Sequence, residues 1–466
     1  MSNSYREALA FMEGLLTFGW KLGNERFTAL CDAMGNPQNQ YAVVHVTGTK
    51  GKGSTTAMAA GILTAAGHKT GGYFSPYVFD VRERVQTDGR RIGGKRFADI
   101  VARAQPYLTA IAATELGQTT EFELKTLIGF EEFALQHAEY ACIEVGIGGR
   151  LDATNIVRPT ACVITNIGLD HTHILGDTHE LIAGEKAGII KAGVPCFTAC
   201  DHPGALRVIS NRAAELDAPL MNVRRGPAGV PTGTTAAVHW EPAEFGTRSC
   251  SEQCGGFRVA TQSAVYEIPG MALVGEYQRL NAACAIAAAE TALRRHSGEV
   301  LQPEPVAEAL AKVALPGRFS VYKGPGTPWI VMDGAHNALA AKSLTGPLYE
   351  FRTRYEVGKT AVVMGMLTGH DPEPVAAELL RGASLAVACA PKWKRALPAA
   401  ELGACIQGIA ESTEIVPDVK RAVRRAIGVC SPQDLLLISG SFYTVGECNP
   451  GWLKRSFGAS EVRDLF

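Results

Sequence analysis

The segment 41–67, YAVVHVTGTKGKGSTTAMAAGILTAAG, limits the possible fold of this chain more than any other stretch. Apolar and β-branched residues run into a glycine-rich loop at residues 48–54, and an Ala/Met/Leu-rich stretch follows as far as Gly67. This order predicts a strand, a glycine loop and a helix. Glycines let backbone N–H groups turn toward an anion, and a helix N-terminus adds a partial positive charge. The segment therefore predicts a phosphate-binding loop, with a tight strand-to-helix turn as the alternative.

Two side chains of this loop suit nucleotide chemistry. Lys52 supplies a mobile cation for the β- and γ-phosphates, and Ser54 supplies a hydroxyl that suits Mg²⁺. The loop is shorter than the general pattern G-x-x-x-x-G-K-[ST], and Gly53 separates Lys52 from Ser54. Because of this departure, the pattern alone leaves the tight-turn alternative open.

The composition restricts the class of protein. A chain of 466 residues has room for two or three domains, and 46% hydrophobic with 20% charged residues is typical of a soluble globular protein. A net charge of −1 argues against nucleic acid or an anionic membrane as a partner. No run approaches the roughly 18 apolar residues of a membrane span, and the charged N-terminus does not fit a signal peptide. We expect a cytoplasmic protein. Of its twelve scattered cysteines, four lie in apolar strand-like or helical runs and are expected to be free thiols that behave as small hydrophobes: Cys142, Cys162, Cys196 and Cys284.

Apolar strands alternate with helical patterns through the first two thirds of the chain. The predicted strands are residues 69–73, 140–145, 161–165 and 194–199, and the predicted helices include residues 94–117, 121–138 and 180–190. Strands that are apolar throughout predict a parallel sheet covered on both faces, and ligands bind at the carboxyl ends of such strands. The glycine loop, Glu144, Asp170 and His171 all fall at such ends.

The remainder of the chain predicts a second unit. Residues 222–258 are rich in Gly, Pro, Thr and Ser and predict a surface excursion, with a hairpin that ends in a strand near residues 264–268 as one form of it. Residues 302–319 predict a linker. Beyond them, strands and helices alternate again. The predicted fold is therefore α/β: a P-loop-type, doubly wound, mainly parallel sheet domain at residues 1–315, and a smaller Rossmann-like α/β domain at residues 316–466.

Four segments together resemble a known family. They are HVTGTKGKGST, EVGIGGRLDATN, TNIGLDHTHILGDTHELIAGEKAGIIK, and PGRF followed by DGAHN. In this order they resemble the folylpolyglutamate synthase/dihydrofolate synthase family, the folate branch of the Mur ligase superfamily. The resemblance covers nearly the whole chain, and a glycine between the loop lysine and serine is a feature of that branch. The chain departs from the family at Lys50, where Asn is usual, and at Tyr77, where His is usual.

The resemblance implies an activity: ATP-dependent addition of L-glutamate to the carboxylate of a folate or dihydropteroate, through an acyl phosphate, releasing ADP and phosphate. It implies ATP and two Mg²⁺ ions as cofactors, and an N6-carboxylated Lys186. The implied catalytic residues are Lys52, His171 and Lys186. The implied metal ligands are Ser54, Glu144 and His171. The implied ATP contacts are Gly48, Thr49, Lys50, Gly51, Lys52, Gly53, Ser54, Thr55, Asn281, Arg318, Asp333 and His336. The implied acceptor-side residues are Ser75, Arg150 and Asp152.

Two other functions stay open. A Mur-superfamily amino-acid ligase with a non-folate acceptor usually carries a further N-terminal UDP-binding domain, whereas only about 40 residues precede the glycine loop here. A non-ligase P-loop nucleotide binder would not need a second domain carrying Arg318 and DGAHN. We expect a monomer without nucleic-acid or membrane partners. The sequence does not distinguish a dihydrofolate synthase from a folylpolyglutamate synthase.

Overall fold

The computed structural model describes residues 3–15, 23–226, 236–243 and 256–462, which form two sheets with helices on both faces. The strands of the first sheet are β1 (Ala42–Thr47), β2 (Thr70–Tyr73), β3 (Val85–Thr87), β4 (Arg90–Arg91), β5 (Tyr140–Glu144), β6 (Pro159–Ile164), β7 (Cys196–Thr198), β8 (Leu220–Arg225), β9 (Ala236–Pro242), β10 (Phe257–Ala260) and β11 (Val265–Ile268). The helices of this half are α1 (Asn3–Gly14), α2 (Glu25–Ala33), α3 (Lys52–Ala65), α4 (Gly94–Ala112), α5 (Glu121–Leu135), α6 (Thr172–Leu175), α7 (His179–Ala187), α8 (Pro203–Glu215), α9 (Glu276–His296) and α10 (Pro303–Lys312).

The first sheet is mainly parallel. Its order is β11-β10-β9-β8-β7-β6-β1-β5-β2-β3-β4, and all pairs from β9 to β2 are parallel, while a short antiparallel hairpin lies at each edge. β1 is buried along its whole length because helices cover both faces. Val44 and Val46 pack against α3 and α9, whereas Val43 faces the core beneath α4 and α5, as the two-residue period of a strand requires.

The second sheet has the order β16-β15-β14-β17-β13-β12-β18, with β16 to β13 parallel. Its strands are β12 (Ser320–Lys323), β13 (Trp329–Met332), β14 (Thr360–Gly365), β15 (Leu385–Ala390), β16 (Thr413–Asp418), β17 (Leu435–Ser439) and β18 (Ser460–Val462). Its helices are α11 (Ala338–Arg354), α12 (Pro372–Leu379), α13 (Ala399–Ile406), α14 (Val419–Val429), α15 (Phe442–Glu447) and α16 (Pro450–Phe457). The predicted fold class is confirmed. The boundary at residues 315 and 316 stays a prediction.

The prediction of a surface excursion at residues 222–258 is wrong for the part that the structure describes. β8, β9 and β10 continue the first sheet, and Trp240 and Phe257 are buried in its core. The Gly/Pro-rich composition belongs to the connections between these strands, and the strand predicted near residues 264–268 is β11. Residues 227–235 and 244–255 lie outside the described part of the chain.

The predicted linker at residues 302–319 also contains a helix. α10 begins with Pro303 in its first turn, where the missing N–H costs no helical hydrogen bond. Val306 and Leu310 are fully buried in the same core as α3. Residues 81–84 form a 3₁₀ turn, and residues 85–91 form the hairpin of β3 and β4. No helix among the described residues is long and apolar enough to span a membrane.

Candidate functional site

The glycine loop joins β1 to α3 through two conformations that glycine favours. Gly48 has φ of +149° and Gly51 has φ of +83°. A side chain on Gly48 would collide with the Thr165 hydroxyl, and one on Gly51 with the Asn281 amide. Thr165 also donates a 2.5 Å hydrogen bond to the carbonyl of Lys50. The end of β6 and the first turns of α9 therefore hold the loop closely from two sides.

Two buried lysine side chains converge on one carbonyl of this loop. The Nζ atoms of Lys52 and Lys186 each donate a 2.9 Å hydrogen bond to the carbonyl oxygen of Gly48. Burial lowers the pKa of both amines, and the charge of Lys52 lowers that of Lys186 further. One carbonyl oxygen compensates only a small part of the positive charge of two amines, so the site favours an anionic ligand or an anionic modification.

Lys50, the position at which the loop departs from the resembled family, forms an ion pair. Its Nζ lies 3.1 Å from Oδ2 of Asp170, and both side chains are largely buried. Burial alone would raise the pKa of Asp170, but the charge of Lys50 and the hydrogen bond that it donates oppose this effect, and the pKa falls to about 2. Asp170 is therefore an anion in this site. An asparagine at position 50 has no charge with which to stabilise it.

Glu144, at the end of β5, is the carboxylate nearest the start of α3. It is 4% exposed, and its Oε2 accepts a 2.8 Å hydrogen bond from the backbone N–H of Ser75. A Cβ on Gly53 would lie 3.3 Å from the same oxygen, so glycine permits this approach. Burial raises the pKa of Glu144, while the charge of Lys52 opposes that shift.

The donor set at this point fits Mg²⁺. The Glu144 carboxylate and the buried hydroxyl of Ser54, in the first turn of α3, supply the oxygen ligands that the ion prefers. No three His, Cys, Asp or Glu side chains converge within the part of the chain that the structure describes. An ion held here would complete its ligands with water and phosphate oxygens, as Mg²⁺ usually does.

His171 lies on the Asp170 side of the loop. Its Nε2 is 4.0 Å from Asp170 Oδ1, and its side chain is 48% exposed. Burial lowers its pKa to about 4, and the neighbouring lysines reinforce the shift, so the imidazole is neutral at pH 7, the form that binds metals. None of the described contacts joins His171 directly to Glu144.

The second domain contributes a cation and a histidine to the same region. The Arg318 guanidinium lies 4.6 Å from the centre of the Phe442 ring and lines a narrow cavity with Gly53, Ser75 and Glu144. Nδ1 of His336 lies 2.8 Å from the carbonyl oxygen of Gly334. Burial lowers the pKa of His336 to about 4, and the charge of Lys50 is the next largest cause. The site is therefore built from both domains.

Other predicted residues have local partners. The carboxylate of Asp333 accepts 2.9 Å hydrogen bonds from the backbone N–H groups of Phe319 and Ala335, and so links the start of β12 to the end of β13.

Asp152 is buried and caps a 3₁₀ turn by accepting a hydrogen bond from the backbone N–H of Thr154. Arg150 pairs with Glu185 at 2.7 Å and is more than half exposed. The backbone N–H of Thr55 donates a hydrogen bond to the backbone carbonyl of Gly51.

A cluster of cations and aromatic rings that the sequence pattern does not predict follows Ser75 and Pro76 of the cavity wall, and is made of Tyr77, Arg84, Phe122 and Lys125. The Arg84 guanidinium lies 5.7 Å from the ring centres of both Tyr77 and Phe122, and Lys125 Nζ lies 5.3 Å from that of Tyr77. Burial, followed by the charge of Arg84, lowers the pKa of Lys125 to about 8. This cation–aromatic cluster suits a flat aromatic ligand that carries a negative charge.

A signal for this cluster was present but misleading. Lys125 follows Glu121 by four residues and forms an ion pair with it, a spacing that is typical of exposed helix faces. Here both residues belong to a helix that is buried nearly all round.

Family models match both halves of the chain. The Mur ligase middle domain matches residues 46–289, and the Mur ligase glutamate ligase domain matches residues 317–442.

Individual proteins are similar over most of the chain. A dihydrofolate synthase/folylpolyglutamate synthase of Bacillus subtilis is 36% identical over 79% of this chain and 80% of its own length. A probable bifunctional folylpolyglutamate synthase/dihydropteroate synthase of Halobacterium salinarum is 33% identical over 99% of this chain, which spans only 53% of that longer protein. The solved structure of E. coli FolC in complex with DHPP and ADP superposes with a TM-score of 0.77 at 28% identity, over 96% of this chain and 98% of that one.

Proposed function

The chain belongs to the Mur ligase family, in its folylpolyglutamate synthase/dihydrofolate synthase group, and we propose that it is an ATP-dependent ligase that joins L-glutamate to the carboxylate of a folate or dihydropteroate. The observation that carries this proposal is the pair of buried lysines, Lys52 and Lys186, on the Gly48 carbonyl at the end of β1. Such a loop suits the phosphates of a nucleotide.

The proposed reaction has two steps. An oxygen of the acceptor carboxylate attacks the γ-phosphorus of ATP, the bond to the β,γ-bridging oxygen breaks, and ADP leaves. The neutral amine of glutamate then attacks the acyl phosphate, loses a proton and expels inorganic phosphate, which leaves an amide. Lys52 and the loop N–H groups stabilise charge on the transferred phosphoryl group, and Arg318 reaches the same cavity from the second domain.

A site between two domains suits this reaction because the acyl phosphate is hydrolysed if water reaches it. Arg318 and His336 belong to the second domain, whereas Glu144 and the phosphate loop belong to the first. Closure of the cleft excludes water from the acyl phosphate. We propose the boundary at residues 315 and 316 as the hinge region. Since one chain supplies all of these residues, we propose that the enzyme works as a monomer, in the cytoplasm.

We propose two Mg²⁺ ions, which neutralise phosphate charge when bound. Ser54 and Glu144 would hold one, and His171 would take part in holding the other. We also propose that Lys186 is N6-carboxylated. Burial and the charge of Lys52 favour its neutral amine, which is the form that adds CO₂. The resulting anion would replace the repulsion of two cations at Gly48 by an attraction.

The cation–aromatic cluster supports an aromatic acceptor. A pterin or aminobenzoyl ring has flat faces for Tyr77 and Phe122, and a glutamyl or benzoyl carboxylate suits the cations of Arg84 and Lys125. We propose that Ser75 contacts the acceptor from the cavity wall. Arg150 and Asp152, with their local partners, would act on the acceptor by shaping the loop that they belong to.

The ligase assay tests the function. Purified protein with ATP, Mg²⁺ and L-glutamate is offered dihydropteroate or tetrahydrofolate, and ADP release is expected only when glutamate and one of the acceptors are present. Lys52→Ala should lower turnover by at least about 100-fold because phosphoryl charge loses its cation, with an unchanged melting temperature. The exposed Lys394→Ala is the control and should keep full activity. Glutamate-independent ADP release with both acceptors would refute the ligase.

Lys125→Met tests the acceptor side. Loss of the buried cation should raise the KM for the acceptor about tenfold and leave the KM for ATP unchanged, since a hydrogen bond to a charged group is worth roughly 1.5–3 kcal/mol. Lys312→Met removes an exposed lysine from another pair with the same spacing and should change neither value. A rise in the KM for ATP alone would contradict the assignment.

Carboxylation of Lys186 is testable without turnover. Carbon-13 bicarbonate should give a carbamate carbonyl resonance in the wild-type protein, which disappears on acidification. Lys186→Arg should lack the resonance, and Lys191→Arg, which changes a nearby lysine bonded to the Asn155 carbonyl, should retain it. A folded wild-type protein without the resonance would rule the modification out.

A further inference from the structure

A second, basic cavity lies at the opposite end of β2 from Ser75. Its volume is about 910 Å³, and its walls are the β3–β4 hairpin, the start of α4 and the end of α5. Six cations and three carboxylates line it: Lys69, Arg90, Arg91, Lys95, Arg96 and Arg103, with Asp88, Asp99 and Glu132. We call it the basic groove. Lys69 and Ser75 are six positions apart along β2 and its continuation, a distance of roughly 20 Å at the rise of a strand.

The positive charge of the basic groove is only partly compensated. Lys95 pairs with Asp99 at 2.7 Å, and Arg103 pairs with the buried Glu131 at 3.1 Å. Lys69 and Arg90 have no carboxylate partner within the described residues. These two cations are therefore available to an anionic ligand.

Glu132 places a buried carboxylate oxygen in the basic groove, which requires a hydrogen-bond donor from a ligand. It is 3% exposed, and its Oε1 accepts a 2.9 Å hydrogen bond from Gln136, but its Oε2 has no hydrogen-bond partner. The nearest cation, Nε of Arg96, is 3.7 Å away, too far for a hydrogen bond. A buried acceptor without a donor is costly, so a ligand with an N–H group would be favoured here.

We infer that the basic groove is a second, non-catalytic site for an oligo-γ-glutamyl chain. Such a chain carries one free carboxylate per residue for Lys69 and Arg90, and amide N–H groups for Glu132. The cavity is large enough for several residues, within the usual range of ligand sites. The choice of this ligand rests on the proposed function, whereas the charges and the unpaired carboxylate oxygen do not.

Equilibrium binding tests the site without catalysis. Fluorescently labelled tetra-γ-glutamate is titrated with the full-length protein in the absence of ATP and pterin, and anisotropy is followed. The double variant Lys69→Ala/Arg90→Ala should bind about tenfold more weakly, since two ion pairs are lost. Arg212→Ala/Lys312→Ala removes two exposed cations elsewhere and should bind within twofold of wild type.

Two further measurements distinguish binding in the basic groove from binding in the catalytic cleft and from nonspecific anion binding. Lys52→Ala should bind the peptide normally, whether or not the ligase assay succeeds. Tripolyphosphate should displace the labelled peptide at least about tenfold less well than unlabelled tetra-γ-glutamate does. It lacks N–H groups, so it would place an anion beside Glu132 without donating a hydrogen bond to it. Equal binding by wild type and the groove double variant, loss of binding in Lys52→Ala, or equal competition by tripolyphosphate would each overturn the inference.

Discussion

The buried positive charge at the Gly48 carbonyl is the constraint on which the rest of the site depends. Lys52 comes from the first turn of α3 and Lys186 from the last turn of α7, and both reach one oxygen at the end of β1. Buried amines are tolerated only with compensating groups. Glu144, Asp152 and Asp170 supply part of that compensation from three different strand ends or loops. The parallel sheet matters because it brings these ends to one edge.

The local part of this arrangement could be predicted from the sequence. A strand, a glycine loop and a helix lie within residues 41–67, and the structure places β1, the loop and α3 there. The partners of the loop are far away in the chain: Lys50 meets Asp170, 120 residues on, and Gly51 lies against Asn281. Spacing alone cannot reveal such pairs, because they depend on which strands are neighbours in the sheet.

The misses have a common physical cause. The composition of a segment reflects its loops more than its buried side chains. The Gly/Pro-rich loops therefore obscured the strand pattern of β9 and β10, and the prolines obscured the helical pattern of α10. Lys125 was missed for the converse reason. Its spacing from Glu121 indicates an exposed ion pair, and only the tertiary structure shows that the pair is buried among aromatic rings.

In the proposed reaction, the phosphate loop and the cleft activate a carboxylate as an acyl phosphate. The most direct test uses an acceptor labelled with oxygen-18 in the carboxylate that receives glutamate. Transfer of the phosphoryl group to that carboxylate, followed by attack of the amine, predicts one oxygen-18 atom in the inorganic phosphate of each turnover. Amide product accompanied by unlabelled phosphate would contradict the account.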